Sequence, residues 1–167
     1  MKNNNKNLRE WLEIVKPIID SPEYQKRKKF RHHGDITVYD HCVRVSIYSY
    51  LVARRFKMDY KSAAIAGLLH DFYTTPWQEC TEKLPFFKMH GFTHAAIALE
   101  NSRKYFSEYL NPTIENAILR HMFPLNKIPP KTKVGFLITL VDKYVSIEMF
   151  REPESIIQTA KAVGGCK

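Results

Sequence analysis

The chain has 167 residues, 44% of them hydrophobic, and a formal net charge of +9 at pH 7, which fits one globular domain able to bury a core without disulfides or a structural metal. Its three cysteines, Cys42, Cys80 and Cys166, stand far apart with no Cys-x-x-Cys pair, which argues against a disulfide framework and a thiolate zinc site. No window approaches the roughly 20 apolar residues of a membrane span, and the opening MKNNNKNLREWLEIV lacks a signal peptide's apolar segment, so a cytoplasmic protein with no membrane partner is expected.

Helical apolar spacing dominates and nothing alternates long enough to insist on a strand, so the fold class predicted is all-α, a single compact helical bundle. A first helix is expected over Leu8 to Ile19, with Trp11, Ile14, Val15 and Ile18 on one side and Pro17 limiting its last turn. Ser21-Pro22 reads as a cap and first-turn proline opening a short basic helix toward Phe30, and HHGDITVYD reads as an extended turn. The next helix, Tyr39 to Phe56, puts His41, Val45, Tyr48 and Val52 on one face. A helix from Tyr60 to Asp71 aligns Ala63, Ala66, Gly67 and His70, small residues that permit close approach of another helix.

FYTTPWQECTEKLPFFKM then forms a connection long enough to act as a lid, with aromatics at Phe72, Tyr73, Trp77, Phe86 and Phe87. A helix starting near Thr93 takes apolar contacts from Ala95, Ile97, Ala98, Leu99 and Phe106. Asn111-Pro112-Thr113 announces a helix carrying Ile114, Ala117, Ile118 and His121 on one face before Pro124 stops it. After Pro129-Pro130, a helix over Lys133 to Met149 places Asp142 in a stripe with Gly135, Ile138 and Val145, where an unpaired charge is costly. A terminal helix is expected from Glu152, frayed at GGCK.

The chemistry concentrates in His41, His70-Asp71, His90, His94, His121 and Asp142. A lone histidine is more often a satisfied polar residue than a ligand, but His41, His70 and His121 fall on inward faces of separate helices, with Asp71 and Asp142 at or near such faces. Burying them all without partners would cost on the order of several kcal/mol, so shared metal coordination is the economical explanation. Imidazole and carboxylate together suit iron, manganese, nickel, cobalt or zinc. His90 and His94 project together if their helix begins by Gly91 or Phe92. His32 and His33 sit outside any amphipathic stripe, beside basic residues and Gly34; His32 reads as part of a surface turn, and an approach to the pocket from that loop is the alternative reading for His33.

Lys26, Arg27, Lys28, Lys29 and Arg31 precede the first ligand candidate. The ordinary reading is a solvated helix end, and the functional one is attraction of an anionic, phosphorylated small-molecule substrate. A nucleic-acid partner ranks last, since no nucleic-acid motif accompanies the charge.

The segments YDHCVRVSIYSYLVARR, AGLLHDF and LVDKY, spanning Tyr39 to Phe150, resemble the HD superfamily of metal-dependent phosphohydrolases, defined by a histidine, a His-Asp dyad and a late aspartate. The division expected is an N-terminal helical extension over 1–38, the HD domain over 39–150 and a C-terminal tail over 151–167. MHGFTHA and ILRHMFP make the chain similar to members that hold two metals. The resemblance then implies a first ion on His41, His70, Asp71 and Asp142, with Asp71 bridging to a second on His90 and His121. His94 would be either a third ligand of the second ion or a donor to substrate phosphate. Asp71, His94 and Lys143 are the candidates for catalytic roles. Arg120, rotated about 100° from His121, is set aside. The activity implied is hydrolysis of a phosphoester or phosphoanhydride of a nucleotide or small phosphorylated metabolite. Di-iron oxygenase chemistry and a non-catalytic metal- or nucleotide-binding module are the alternatives.

Overall fold

The computed structural model describes residues 2–33, 35–73, 90–151, 154, 158, 159 and 162. Among them the chain forms seven helices and one small sheet, the all-α bundle expected. The order is α1 (Lys2–Ile19), α2 (Pro22–Gln25), a 3-10 turn (Lys26–Lys29), β1 (Arg31–His33), β2 (Ile36–Thr37), α3 (Val38–Arg55), α4 (Tyr60–Leu69), α5 (His90–Phe106), α6 (Pro112–Arg120) and α7 (Lys133–Arg151). No helix among the described residues is long and apolar enough to cross a membrane. The proposed lid falls on 74–89, which together with Cys80, Cys166 and most of the tail lies outside the described residues.

Local signals set most helix ends. Ser21 Oγ accepts from the Glu23 amide at 3.2 Å, with Pro22 at the first helical position of α2. At α3 the Thr37 hydroxyl accepts from the Asp40 amide at 3.2 Å while Asp40 accepts from the Thr37 amide at 2.9 Å, a reciprocal cap that places His41 in the first turn. Asn111 Oδ1 caps α6 through the Ile114 amide at 2.9 Å.

Two expectations need correction. The extended turn after Phe30 is an antiparallel hairpin, β1 on β2, with Arg31 opposite Thr37 and His33 opposite Ile36. Two or three residues per strand give too little alternation to read as a strand. Ile97, assigned an apolar contact, is 40% exposed, because α5 turns Ala95, Ala98 and Leu99 to the core instead.

The centre of the bundle is the pair α3 and α4. Buried Ser46 accepts from Trp11 Nε1 at 2.9 Å and donates to the Ala64 carbonyl at 2.6 Å, linking α1, α3 and α4. Tyr24 OH donates to the Leu68 carbonyl at 2.9 Å, fastening α2 to the end of α4. Close approach at Ser46 depends on Gly67, where an added Cβ would stand 2.8 Å from Ser46 Cα and 3.0 Å from its nitrogen. The obstacle is backbone, which cannot rotate aside. Gly67→Ala is therefore expected to destabilise the fold by about 1–3 kcal/mol, despite alanine's better helix propensity. Chemical denaturation checks this, and an unchanged midpoint would show that the helices separate freely.

Candidate metal centre

Helix ends deliver the site. His70 and His121 are the C-terminal caps of α4 and α6, and the same device orients both. The last carbonyls of a helix have no intrahelical partner. His70 Nδ1–H donates to the Gly67 carbonyl at 2.8 Å, and His121 Nδ1–H donates to the Ile118 carbonyl at 2.7 Å. Each bond satisfies an orphan carbonyl and aims Nε2 beyond the helix end, the arrangement by which ligand histidines are held. Asp71 follows His70 immediately, while His41, His94 and Asp142 come from α3, α5 and α7.

His41 Nε2 lies 3.3 Å from His70 Nε2 and 3.1 Å from Asp142 Oδ1. His70 Nε2 lies 3.5 Å from Asp142 Oδ1 and 3.7 Å from Asp71 Oδ2. On the other side of Asp71, Oδ1 is 3.4 Å from His94 Nε2 and 3.6 Å from His121 Nε2, which are 3.1 Å from each other. The two oxygens of one carboxylate thus face two different groups of imidazoles. Asp71 Oδ1 is buried and accepts no hydrogen bond among the described residues.

These spacings fit a cation better than a hydrogen-bond network. Most exceed hydrogen-bond length, yet donors bound to one ion at about 2.0–2.2 Å stand about 2.8–3.6 Å apart, from octahedral to tetrahedral geometry. Three groups among the described residues each bring their ligand atoms within 4.8 Å of one another: His41, His70 and Asp142; His70, Asp71 and His121; and His32, His41 and Asp71. Burial and charge agree with this. Burial pushes His41 and His121 down to about 4, so both are neutral imidazoles at pH 7, the form that binds metal. Burial opposes ionisation of Asp71 and Asp142, but the surrounding histidines hold both carboxyls well below the usual range. Burial would also depress His70, but Asp71 and Asp142 outweigh it and raise it to about 9. In the metal-free protein a proton on His70 stands among the donors that a metal would join.

The geometry therefore collects His41, His70, Asp71, His94, His121 and Asp142. His94, the ambiguous member in sequence, lies against Asp71 and His121. His90 opens α5, but its side chain lies outside the described residues. Lys143 holds its ammonium 3.4 Å from the carbonyls of His121 and Thr139. Among the described residues that ammonium forms no ion pair with a carboxylate.

His32 is the residue that sequence reasoning missed. Its side chain is 16% exposed, with Nε2 3.6 Å from Asp71 Oδ2, and its ring stacks on His41 at 4.3 Å. Placement on the unanticipated hairpin accounts for the error. The one available signal was the adjacent His33, since in an extended pair one side chain must turn inward. The basic run also divides: Arg27 is 1% exposed, its guanidinium 4.8 Å from the Phe30 ring and 4.7 Å from the Phe72 ring, and it donates to the Tyr73 carbonyl. Lys26, Lys28 and Lys29 remain exposed.

The sequence profile of the HD domain family matches residues 38–147, about two thirds of the chain. Comparison with curated proteins and with solved structures gives no match. The matched span runs from the first turn of α3 to beyond Asp142 and so takes in every ligand candidate of the cluster except His32. With that span and this buried histidine and aspartate cluster, the chain belongs to the HD domain family, a superfamily of metal-dependent hydrolases.

Proposed function

We propose that the protein is a phosphohydrolase that works through two divalent transition metals bridged by Asp71. One observation carries this reading: Asp71 Oδ2 faces His70 while Oδ1 faces His94 and His121. His41, His70, Asp71 and Asp142 would hold the first ion, and Asp71, His94 and His121 the second. Such ions supply a water acidic enough to attack at neutral pH and a positive seat for phosphate oxygens.

The chain's own residues do the rest. Asp71 sets the separation of the two groups. Gly67 and Ile118, through their carbonyls, hold one proton of His70 and one of His121 on Nδ1, so that Nε2 of His121 is free and Nε2 of His70 becomes free once its second proton is displaced. Three described protein donors at the second group leave room there for substrate, whereas a structural site closes its coordination sphere. Lys26, Lys28, Lys29 and Arg31 lie on the segment leading to His32 and favour an anionic substrate, in keeping with the net charge of +9. A nucleotide or small phosphorylated metabolite has that chemistry.

The test is elemental analysis joined to an activity screen. Protein purified without chelator, then reconstituted anaerobically with Fe2+ or Mn2+, is expected to hold about two equivalents per chain. It should release phosphate from a panel of nucleotides and sugar phosphates, and chelation should abolish that release. A single equivalent with no phosphate release would remove the reading. The imidazole and carboxylate donors also suit iron redox chemistry, so oxygen uptake without phosphate release would reassign the site to a di-iron oxygenase.

A further inference from the structure

His41 lacks the anchor that its partners have. His70 and His121 each fix their ring through Nδ1–H on a free carbonyl at a helix C-terminus. His41 sits in the first turn of α3, where carbonyls point forward into the helix and are taken by its own amides. Its Nδ1 is buried and makes no hydrogen bond among the described residues. A ring that rotates freely is a poor ligand, and partners that orient ligand rings are commonly worth a factor of about 10–100 in metal affinity.

The ring of His32 packs instead on the face of His41. It lies against His41 with centroids 4.3 Å apart and planes 20° from parallel. The hairpin carrying it is pinned near the site: the Val38 amide donates to the Phe30 carbonyl at 2.8 Å, and Arg27, held between Phe30 and Phe72, donates to the Tyr73 carbonyl. Segments on both sides of His32 are thus tied to the start of α3 and to the residues just after Asp71.

We infer that His32 is the positioning residue for His41, its ring face replacing the hydrogen bond that orients His70 and His121. The inference rests on the metal-centre reading above and adds a residue outside the family match. Direct ligation by His32 of the ion on His41 fits less well. An imidazole binds through a lone pair in its own plane, and the planes of two stacked rings do not converge within about 2 Å of His41 Nε2. His32 Nε2 also stands 3.6 Å from Asp71 Oδ2, an electrostatic contact longer than a well-formed hydrogen bond. Stacking against an imidazole made electron-poor by a bound cation is favourable for an aromatic face.

The experiment titrates Co2+ into the full-length metal-free protein against a chromophoric chelator, recording ligand-field absorption. Wild type is the control: if it binds no Co2+, the metal-centre reading fails before His32 is in question. With two sites in wild type, His32→Ala and His32→Gln are expected to weaken one of them by about 10–100-fold and to alter its absorption, leaving the other unchanged. His32→Phe, which keeps a ring and loses both nitrogens, should recover most of that affinity. Wild-type affinity in both His32→Ala and His32→Gln would overturn the inference. So would a His32→Phe protein as impaired as the glutamine variant, because the nitrogen would then be what matters. Should His32→Ala fail to fold, the comparison of glutamine with phenylalanine still decides.

Discussion

Asp71→Asn is expected to abolish activity, lowering kcat/KM on the order of a thousandfold or more, and to reduce metal content from about two equivalents to less than one. The substitution keeps the shape of the side chain, so packing around it is preserved. What it removes is the one charge shared by both halves of the site, at 3.7 Å from His70 on one oxygen and at 3.4 and 3.6 Å from His94 and His121 on the other. The amide offers a single weak oxygen donor and turns an N–H toward the other half of the site, where a cation cannot accept it. A bridging role predicts loss at both sites, whereas a ligand of one ion only would leave the other filled. Asp59→Asn supplies the control at the opposite end of α4. There the side chain caps the helix through the Ser62 amide at 3.0 Å, and asparagine caps as well as aspartate. Metal content by mass spectrometry and phosphate release measure both variants. A fully loaded, active Asp71→Asn protein would exclude bridging by this carboxylate.

How much of this was readable from the chain follows from what kind of element each residue occupies. His41, His121 and Asp142 recur with apolar neighbours at helical spacing, so a periodicity argument finds them and finds their direction. His70 and Asp71 end such a stripe. His94 was ambiguous because it occupies a position where the two-metal members that the chain resembles often carry a small residue, and because its projection beside His90 depended on where the helix begins. His32 lay beyond that reasoning altogether. Its role comes from a hairpin with only five strand residues and from a ring-to-ring contact across nine positions of chain, and neither leaves a periodic trace. Arg27 shows the opposite failure. Composition grouped it with four other basic residues as a charged run, but a 3-10 turn rotates it between Phe30 and Phe72 while its neighbours stay in solvent. The tertiary partners, not the local charge density, decided which basic residue was buried.

The proton held by His70 makes the second large prediction, because a metal must displace it. Asp71 and Asp142 raise His70 to about 9 against the cost of burial, and Nδ1–H is committed to the Gly67 carbonyl, so the displaceable proton is the one on Nε2. His41 and His121, pushed down to about 4, have no such proton to lose at pH 7. Metal binding at pH 7 should thus release about one proton from these three rings, and apparent affinity should rise about tenfold per pH unit up to pH 9, then level off. Calorimetric titration in two buffers of different ionisation enthalpy counts the proton. The stability of the metal-free protein follows with signs set by the same shifts. A group raised above its unfolded value of 6.5 stabilises fully below that pH and loses its contribution as pH climbs through 9, which is the case of His70. Groups depressed below 6.5 contribute above it and lose that contribution as pH falls toward 4, which is the case of His41 and His121. The metal-free melting temperature should therefore peak near pH 6.5 and decline on both sides, while the loaded protein keeps its stability on the alkaline side because the cation replaces the proton. An affinity that is flat between pH 7 and 9 would mean that His70 is already neutral in the empty site, and that the two carboxylates do not act on it together.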